Sequence, residues 1–298
     1  MAQPRRLGSL ARRIWPALGP GLITGAADDD PSGIATYSFA GAQFGTGFLW
    51  TAILTWPLMA GVQTMCARIG MVTGRGLIGA LGMKFPRPVL ACAAAALLLA
   101  NTINIGADLS AMADAMEMLT GVSLRWWVIL FGLGIGWATM RLRYAMVALV
   151  LKWLTLALFA YVVTGIYIRP PWAEVLRATV VPALPESREA WATLVAILGT
   201  TISPYLFFWQ ASQEVEEEKA KGRRTRSARR GASREEIVDR RIDVGAGTFF
   251  SNLVMFFIIL TTAYTLHPNG RTTLETSRDV ADALRPLAGE LATLLYTP

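Results

Sequence analysis

"GAADDDPSGIATYS", residues 25–38, sets three aspartates, a proline and a glycine in the middle of an apolar run. At the centre of a bilayer an aspartate costs about 3 kcal/mol on insertion scales, and here Asp28, Asp29 and Asp30 stand together. Proline cannot donate to the helix ladder and glycine accepts most backbone angles, so the helix is expected to break around residues 28–33 and leave backbone groups unpaired. Unpaired backbone at bilayer depth is tolerated only where it lines a cavity or a site. Neighbouring aspartates on a helix point about 100° apart, so at most two aim at one spot. Asp30, beside the break, is the candidate ligand, and Asp28 and Asp29 are the candidate lining of a hydrated vestibule.

The surrounding composition supports a membrane setting. Of 298 residues, 53% are hydrophobic and 16% charged, with a mean hydropathy of +0.42. Soluble domains carry about a quarter charged residues. A net charge of +7 does not point to nucleic acid here, because the Lys and Arg residues sit between apolar runs. A bilayer core needs roughly 20 apolar residues per helix. On that measure spans are expected at 15–43, 47–68, 89–117, 126–140, 145–168, 191–213 and 244–266, with a last apolar run, 286–298, too short to cross. The chain therefore reads as stopping just inside an eighth span.

Charge sets the orientation. With a cytoplasmic N-terminus, 20 Lys and Arg fall inside and 7 outside, Lys152 lying within a span. The ordered segments are then a cytoplasmic N-terminus, 1–14; a first repeat of five spans, 15–168; an external loop, 169–190; and a partial second repeat, 191–298, with a charged cytoplasmic loop at 214–243. This places the protein in the cell (inner) membrane, multi-pass. Cys66 and Cys92 have no metal-ligand spacing and read as packing residues, and His267 lies in an external turn. No nucleophile–base constellation or phosphate loop is present, so an enzyme is not indicated and no cofactor is expected.

The sixth span repeats the device of the first. "WATLVAILGTTISPYLFFWQASQ" carries Gly199, Thr200, Thr201, Ser203 and Pro204 at its centre. Broken helices five spans apart are the mark of an all-α transporter fold of five plus five inverted repeats (LeuT-like), with substrate held where the breaks meet. In the third span Asn101, Asn104 and Asp108 follow i, i+3, i+7 spacing and share a face, which suits either a hydrated ion path or a polar helix-packing seam. Ser251 and Asn252 lie inside the seventh. The acids Glu214, Glu216, Glu217 and Glu218 read as a solvated helix end or as a lure for cations.

At both breaks the sequence resembles the Nramp family of divalent metal ion transporters. Members carry Asp-Pro-Gly-Asn in a broken first helix and Ala-x-x-Met-Pro-His in a broken sixth. Here these are Asp30-Pro31-Ser32-Gly33 and Thr200-Thr201-Ile202-Ser203-Pro204-Tyr205, and "CARIGMVTGRG", residues 66–76, matches a further family segment. The likeness runs from about residue 17 to the end of the chain. It implies that Asp30 and the Thr200 carbonyl hold the ion, with Gly33 at the asparagine position and Ser203 at the methionine position. Gly33 has no side chain to offer, and a serine hydroxyl in place of a thioether favours hard cations. In this the sequence is similar to a magnesium-transporting branch of the family. Tyr205 and Gln210 stand where members have histidines, and Asn101 and Ala111 where they often have glutamates, which argues against proton coupling.

The function implied is transport of divalent cations, manganese, magnesium or iron, with the ion and the lipid bilayer as partners. Two alternatives stand beside it: a non-transporting fragment of such a protein, since later helices of the family are missing, and an organic-solute carrier of the same fold. The aspartates disfavour the second, because they repel a substrate carboxylate.

Overall fold

The structure, a computed structural model, describes residues 21, 24, 25, 27–142, 146 and 158–270. The expected N-terminal segment, the first span before residue 21, the start of the fifth span with Lys152, and the run 286–298 lie outside the described residues. Among the described residues the elements are α-helices and short 3-10 turns.

Helix α1, Pro31–Phe44, begins where the sequence breaks. Asp30 is its N-cap and Pro31 occupies the first turn, where a missing N–H costs nothing. A 3-10 turn, Gly45–Phe48, leads into α2, Trp50–Thr73, and the chain bends by 108° between α1 and α2. A short α3, Leu77–Leu81, precedes the long α4, Arg87–Thr120, and α5, Leu124–Arg141. Then come α6, Leu158–Tyr167, and α7, Trp172–Val180. The sixth expected span is α8, Arg188–Thr201, and α9, Pro204–Ala220, interrupted at Ile202 and Ser203, whose ψ angles of 56° and 126° leave the helical region. Ser187 caps α8 by accepting from the Ala190 N–H. Last is α10, Arg234–Thr265, opened by a capping box in which Ser233 and Glu236 satisfy each other's backbone N–H groups.

Among the described residues three stretches are long and apolar enough to cross a membrane, Arg87–Thr120, Arg188–Ala220 and Arg234–Asn269, or four with the bent α1–α2 pair counted as one. Helix α5 has Arg125 and Arg141 near its ends, which shortens its apolar length. Two expected loops are more ordered than the sequence suggests. The external segment 169–190 contains α7, which buries Val175. The charged segment 214–243 is largely helical, and only 221–233 lies between α9 and α10. Glu214, Glu216, Glu217, Glu218, Glu236 and Asp243 have basic partners there, where composition alone suggests solvated coil.

The described chain divides into two compact units. The first holds residues up to Ala27, Leu58–Leu98 and Ser203–Phe250; the second holds Asp28–Pro57, Leu99–Ile202 and residues from Ser251 onward. The divisions at Ala27 and Ile202 coincide with the two helix breaks. In the second unit Tyr37, Leu49, Ile197, Met255, Ile258, Ile259 and Leu260 are fully or almost fully buried and form its core. Burying a large aliphatic side chain contributes about 1.5–3 kcal/mol. Gly41 lets α1 meet α10, since a Cβ there would stand 2.0 Å from Thr262 Oγ1 and 2.3 Å from the Ile259 carbonyl oxygen. In the first unit Gly25 meets Gly247 as closely, its Cβ position 2.4 Å from the Gly247 oxygen, and Met59, Met71, Leu206 and Val244 are buried. Apolar side chains of α4 and α5, such as Leu98, Ile103 and Leu133, are exposed, as they are on a surface that faces lipid.

Candidate cation site

The site begins at the α1 N-cap in the second unit. Asp30 Oδ1 accepts from the Gly33 N–H at 2.7 Å and from Ser32 Oγ at 2.7 Å, while Oδ2 accepts from Asn104 Nδ2 at 3.1 Å. Asn104 Nδ2 also donates to Asp108 Oδ2 at 3.2 Å, Ser32 Oγ faces Asn104 Oδ1 at 3.0 Å, and the Ser32 N–H donates to Asp108 Oδ1 at 3.2 Å. Asp30, Ser32, Asn104 and Asp108 thus close a ring between the start of α1 and the middle of α4. The i, i+3, i+7 face read from the sequence is there for Asn104 and Asp108. Asn101 is not drawn in, and its Oδ1 is buried with no hydrogen-bond partner among the described residues.

Gly33 and Thr200 are also at hand. A Cβ on Gly33 would lie 3.0 Å from the Asp28 carbonyl oxygen, 3.2 Å from Asp30 Oδ1 and 3.5 Å from Thr200 Oγ1. The absent side chain is what allows this backbone to pack so closely. Among the described residues no three His, Cys, Asp or Glu side chains are placed to hold a metal. A cation here would rest on one or two carboxylates, neutral oxygens and water, a donor set that suits magnesium.

Asp28 and Asp29 depart from the expected hydrated vestibule. Both are buried, at 0% and 6% exposure. Asp28 Oδ2 accepts from Ser251 Oγ at 2.7 Å, while Asp28 Oδ1 and Asp29 Oδ1 have no partner among the described residues. The physical reason is the turn at 27–30, which folds these two residues into the unit's interior while Asp30 caps the helix. Ser251 thereby faces the break, and the adjacent Asn252 accepts from Thr55 in a helix-packing bond at 2.5 Å. Behind Thr200, Thr201 Oγ1 lies 2.9 Å from the Tyr37 hydroxyl and 3.6 Å from Met255 Sδ, all three residues being fully buried. Tyr37 escapes a reading of motifs alone. Its one signal is its place seven residues after Asp30, two turns along the same face.

Ser203, Tyr205 and Gln210 belong to the first unit. Ser203 is the N-cap position of α9 and is buried, but its side chain makes no capping bond. Tyr205 is half-buried one residue into the helix proper. Gln210 is fully buried; its Oε1 accepts from Thr24 Oγ1 at 2.5 Å and its Nε2 donates to Glu214 Oε1 at 2.7 Å. From Glu214 an ion network runs on: Arg240 pairs with Glu214 at 2.8 Å, Glu217 at 2.9 Å and Asp243 at 2.5 Å, and Asp243 Oδ2 accepts from the Gly21 N–H at 2.8 Å. Glu218 pairs with Arg223 at 2.5 Å. These acids are therefore neither a solvated helix end nor a free lure for cations. Their partners lie up to 26 residues away in sequence, too far for spacing to reveal.

Comparison with known proteins fits this architecture. The chain is 27% identical over 293 residues to the Divalent metal cation transporter MntH of Yersinia enterocolitica, covering 96% of this chain and 68% of that protein. It is also 27% identical to the MntH of Chromohalobacter salexigens, covering 95% and 65%. A crystal structure of a mutant of the Eremococcus coleocola manganese transporter superposes with a TM-score of 0.71 at 16% identity, covering 99% of this chain and 63% of that one. That likeness shows the fold, an all-α polytopic membrane protein of the LeuT-like class. The chain spans about two thirds of the length of these relatives. The Nramp model, natural resistance-associated macrophage protein-like, matches residues 21–297, and the chain belongs to the Nramp family.

Proposed function

We propose that this chain carries the ion site of a divalent-cation transporter, with Asp30 as the ligand at the first break and Thr200 contributing at the second. One observation carries the reading: the second unit buries Asp28 and Asp29 and half-buries Asp108, and none of these three forms an ion pair with a described Lys, Arg or His. A carboxylate taken out of water needs either a proton or a compensating positive charge, and a transported cation can supply the charge. Relatives named as divalent metal cation transporters support the same class of substrate.

Manganese or magnesium is the preferred ion, because the side chains gathered at Asp30 offer oxygen donors. Gln210, bonded to Thr24 and Glu214, offers no titrating imidazole where family members have a histidine, which argues against proton relay at that position. The N-terminus is cytoplasmic in this reading, following the Lys and Arg distribution. The test is isothermal titration of the full chain in lipid nanodiscs with Mn2+ and Mg2+, together with ion flux in proteoliposomes. Saturable binding that Asp30→Ala abolishes, and flux indifferent to an imposed pH gradient, are the expected results. Absence of binding by the unaltered chain sinks the reading.

A further inference from the structure

Asn104 holds two carboxylates in a geometry that a cation can take over. Its single Nδ2 group donates to Asp30 Oδ2 at 3.1 Å and to Asp108 Oδ2 at 3.2 Å. On the other side of the amide, Oδ1 lies 3.0 Å from Ser32 Oγ, and the same hydroxyl lies 2.7 Å from Asp30 Oδ1. A serine hydroxyl has one proton, so it cannot fully serve both acceptors. Turning the amide by 180° leaves the side-chain shape unchanged. Nδ2 then donates to Ser32 Oγ, and the serine proton goes wholly to Asp30. Oδ1 now faces Asp30 Oδ2 and Asp108 Oδ2, three oxygens with no proton between them. Without a cation that arrangement repels itself; with one it is a coordination site.

We propose that Asn104 and Asp108 are direct ligands of the transported cation, Asn104 turning its amide so that Oδ1 replaces Nδ2 between the two carboxylates. The inference rests on the ion site at Asp30 proposed above and gives α4 a contact with the ion rather than a place along its path. In the ion-free protein the amide hydrogens stand in for the cation. A magnesium ion arriving there draws its oxygen ligands to about 2.1 Å and completes its shell with water. Gly33 has no side chain to offer, so on this reading α4 supplies a side-chain amide oxygen beside the contribution of Thr200. The buried oxygens of Asp28 and Asp29 that lack a donor lie on the adjoining turn and raise the local demand for positive charge.

The experiment uses the full chain in nanodiscs, titrated with Mn2+ and Mg2+, alongside Asp30→Ala, Asp108→Asn and Asn104→Ala. The last two are each expected to weaken binding by about tenfold or more. Infrared difference spectra of the unaltered chain on adding Mg2+ are expected to show two carboxylates and one side-chain amide carbonyl perturbed. If Asp30→Ala abolishes binding while Asp108→Asn and Asn104→Ala bind within about twofold of the unaltered chain, the ligand assignment is wrong and the function stands. If the unaltered chain binds no ion, both fall. Where a variant does not fold, judged by size-exclusion chromatography, the infrared spectrum of the unaltered chain decides: an unmoved amide carbonyl band overturns the proposal.

Discussion

The two units bury acids in opposite ways. In the first, Glu214, Glu217 and Asp243 converge on Arg240, itself only 10% exposed, and Asp243 also takes a backbone N–H. In the second, Asp28 and Asp29 are as deeply buried, yet neither meets a basic side chain among the described residues, and each keeps one oxygen without a donor. In a paired cluster an arginine offsets part of the acids' charge and fastens segments together. An uncompensated one holds a field that a mobile cation can satisfy. The same residue type thus fastens helices in one unit and supports a candidate ion site in the other, and the difference lies in where the nearest arginine is.

The contrast can be broken by substitution. The largest effect is expected for Arg240→Ala, which strands three acids and should cost about 3–5 kcal/mol in unfolding measured in mixed micelles. A loss below about 1 kcal/mol would make the network incidental. Next is Gly41→Ala, where the added methyl meets Thr262 and Ile259 at overlap distances and should cost about 2 kcal/mol, measured the same way. Asp28→Asn tests the other side of the comparison. It keeps an acceptor for Ser251 but replaces a buried carboxyl with a neutral amide, so stability should rise by about 1 kcal/mol while Mn2+ affinity falls. A loss of stability with unchanged affinity would show that Asp28 is a structural residue only. The smallest change is Tyr37→Phe, which removes the hydroxyl facing Thr201 and should cost about 1 kcal/mol in the same unfolding assay.

Much of this was legible in the residues. Asp30-Pro31 announced the first break and Ser203-Pro204 the second, because proline cannot continue a helix ladder; that Asp30 also caps α1 is read only from the structure. The i, i+3, i+7 spacing on α4 correctly put Asn104 and Asp108 on one face. What spacing could not say is that Asn101, one turn earlier, stays outside the ring, or that Asp28 and Asp29 turn inward instead of lining a vestibule. Those outcomes depend on the path of the turn at 27–30 and on Ser251, more than 220 residues away. The charged stretch 214–243 misled for the same reason. Its composition is that of a solvated loop, and only the meeting of α9 with α10 shows that Glu214 and Glu217 have Arg240 as a partner.

The sequence by itself determined the membrane setting, the two interrupted helices and the presence of carboxylates at the first break, because hydropathy, proline and charge act through local rules that hold whatever the chain touches later. Only the tertiary structure decided which acids have arginine partners and which do not, and which polar side chain spans Asp30 and Asp108. Burial and electrostatic compensation depend on distances between residues remote in the chain, and no local pattern encodes those distances.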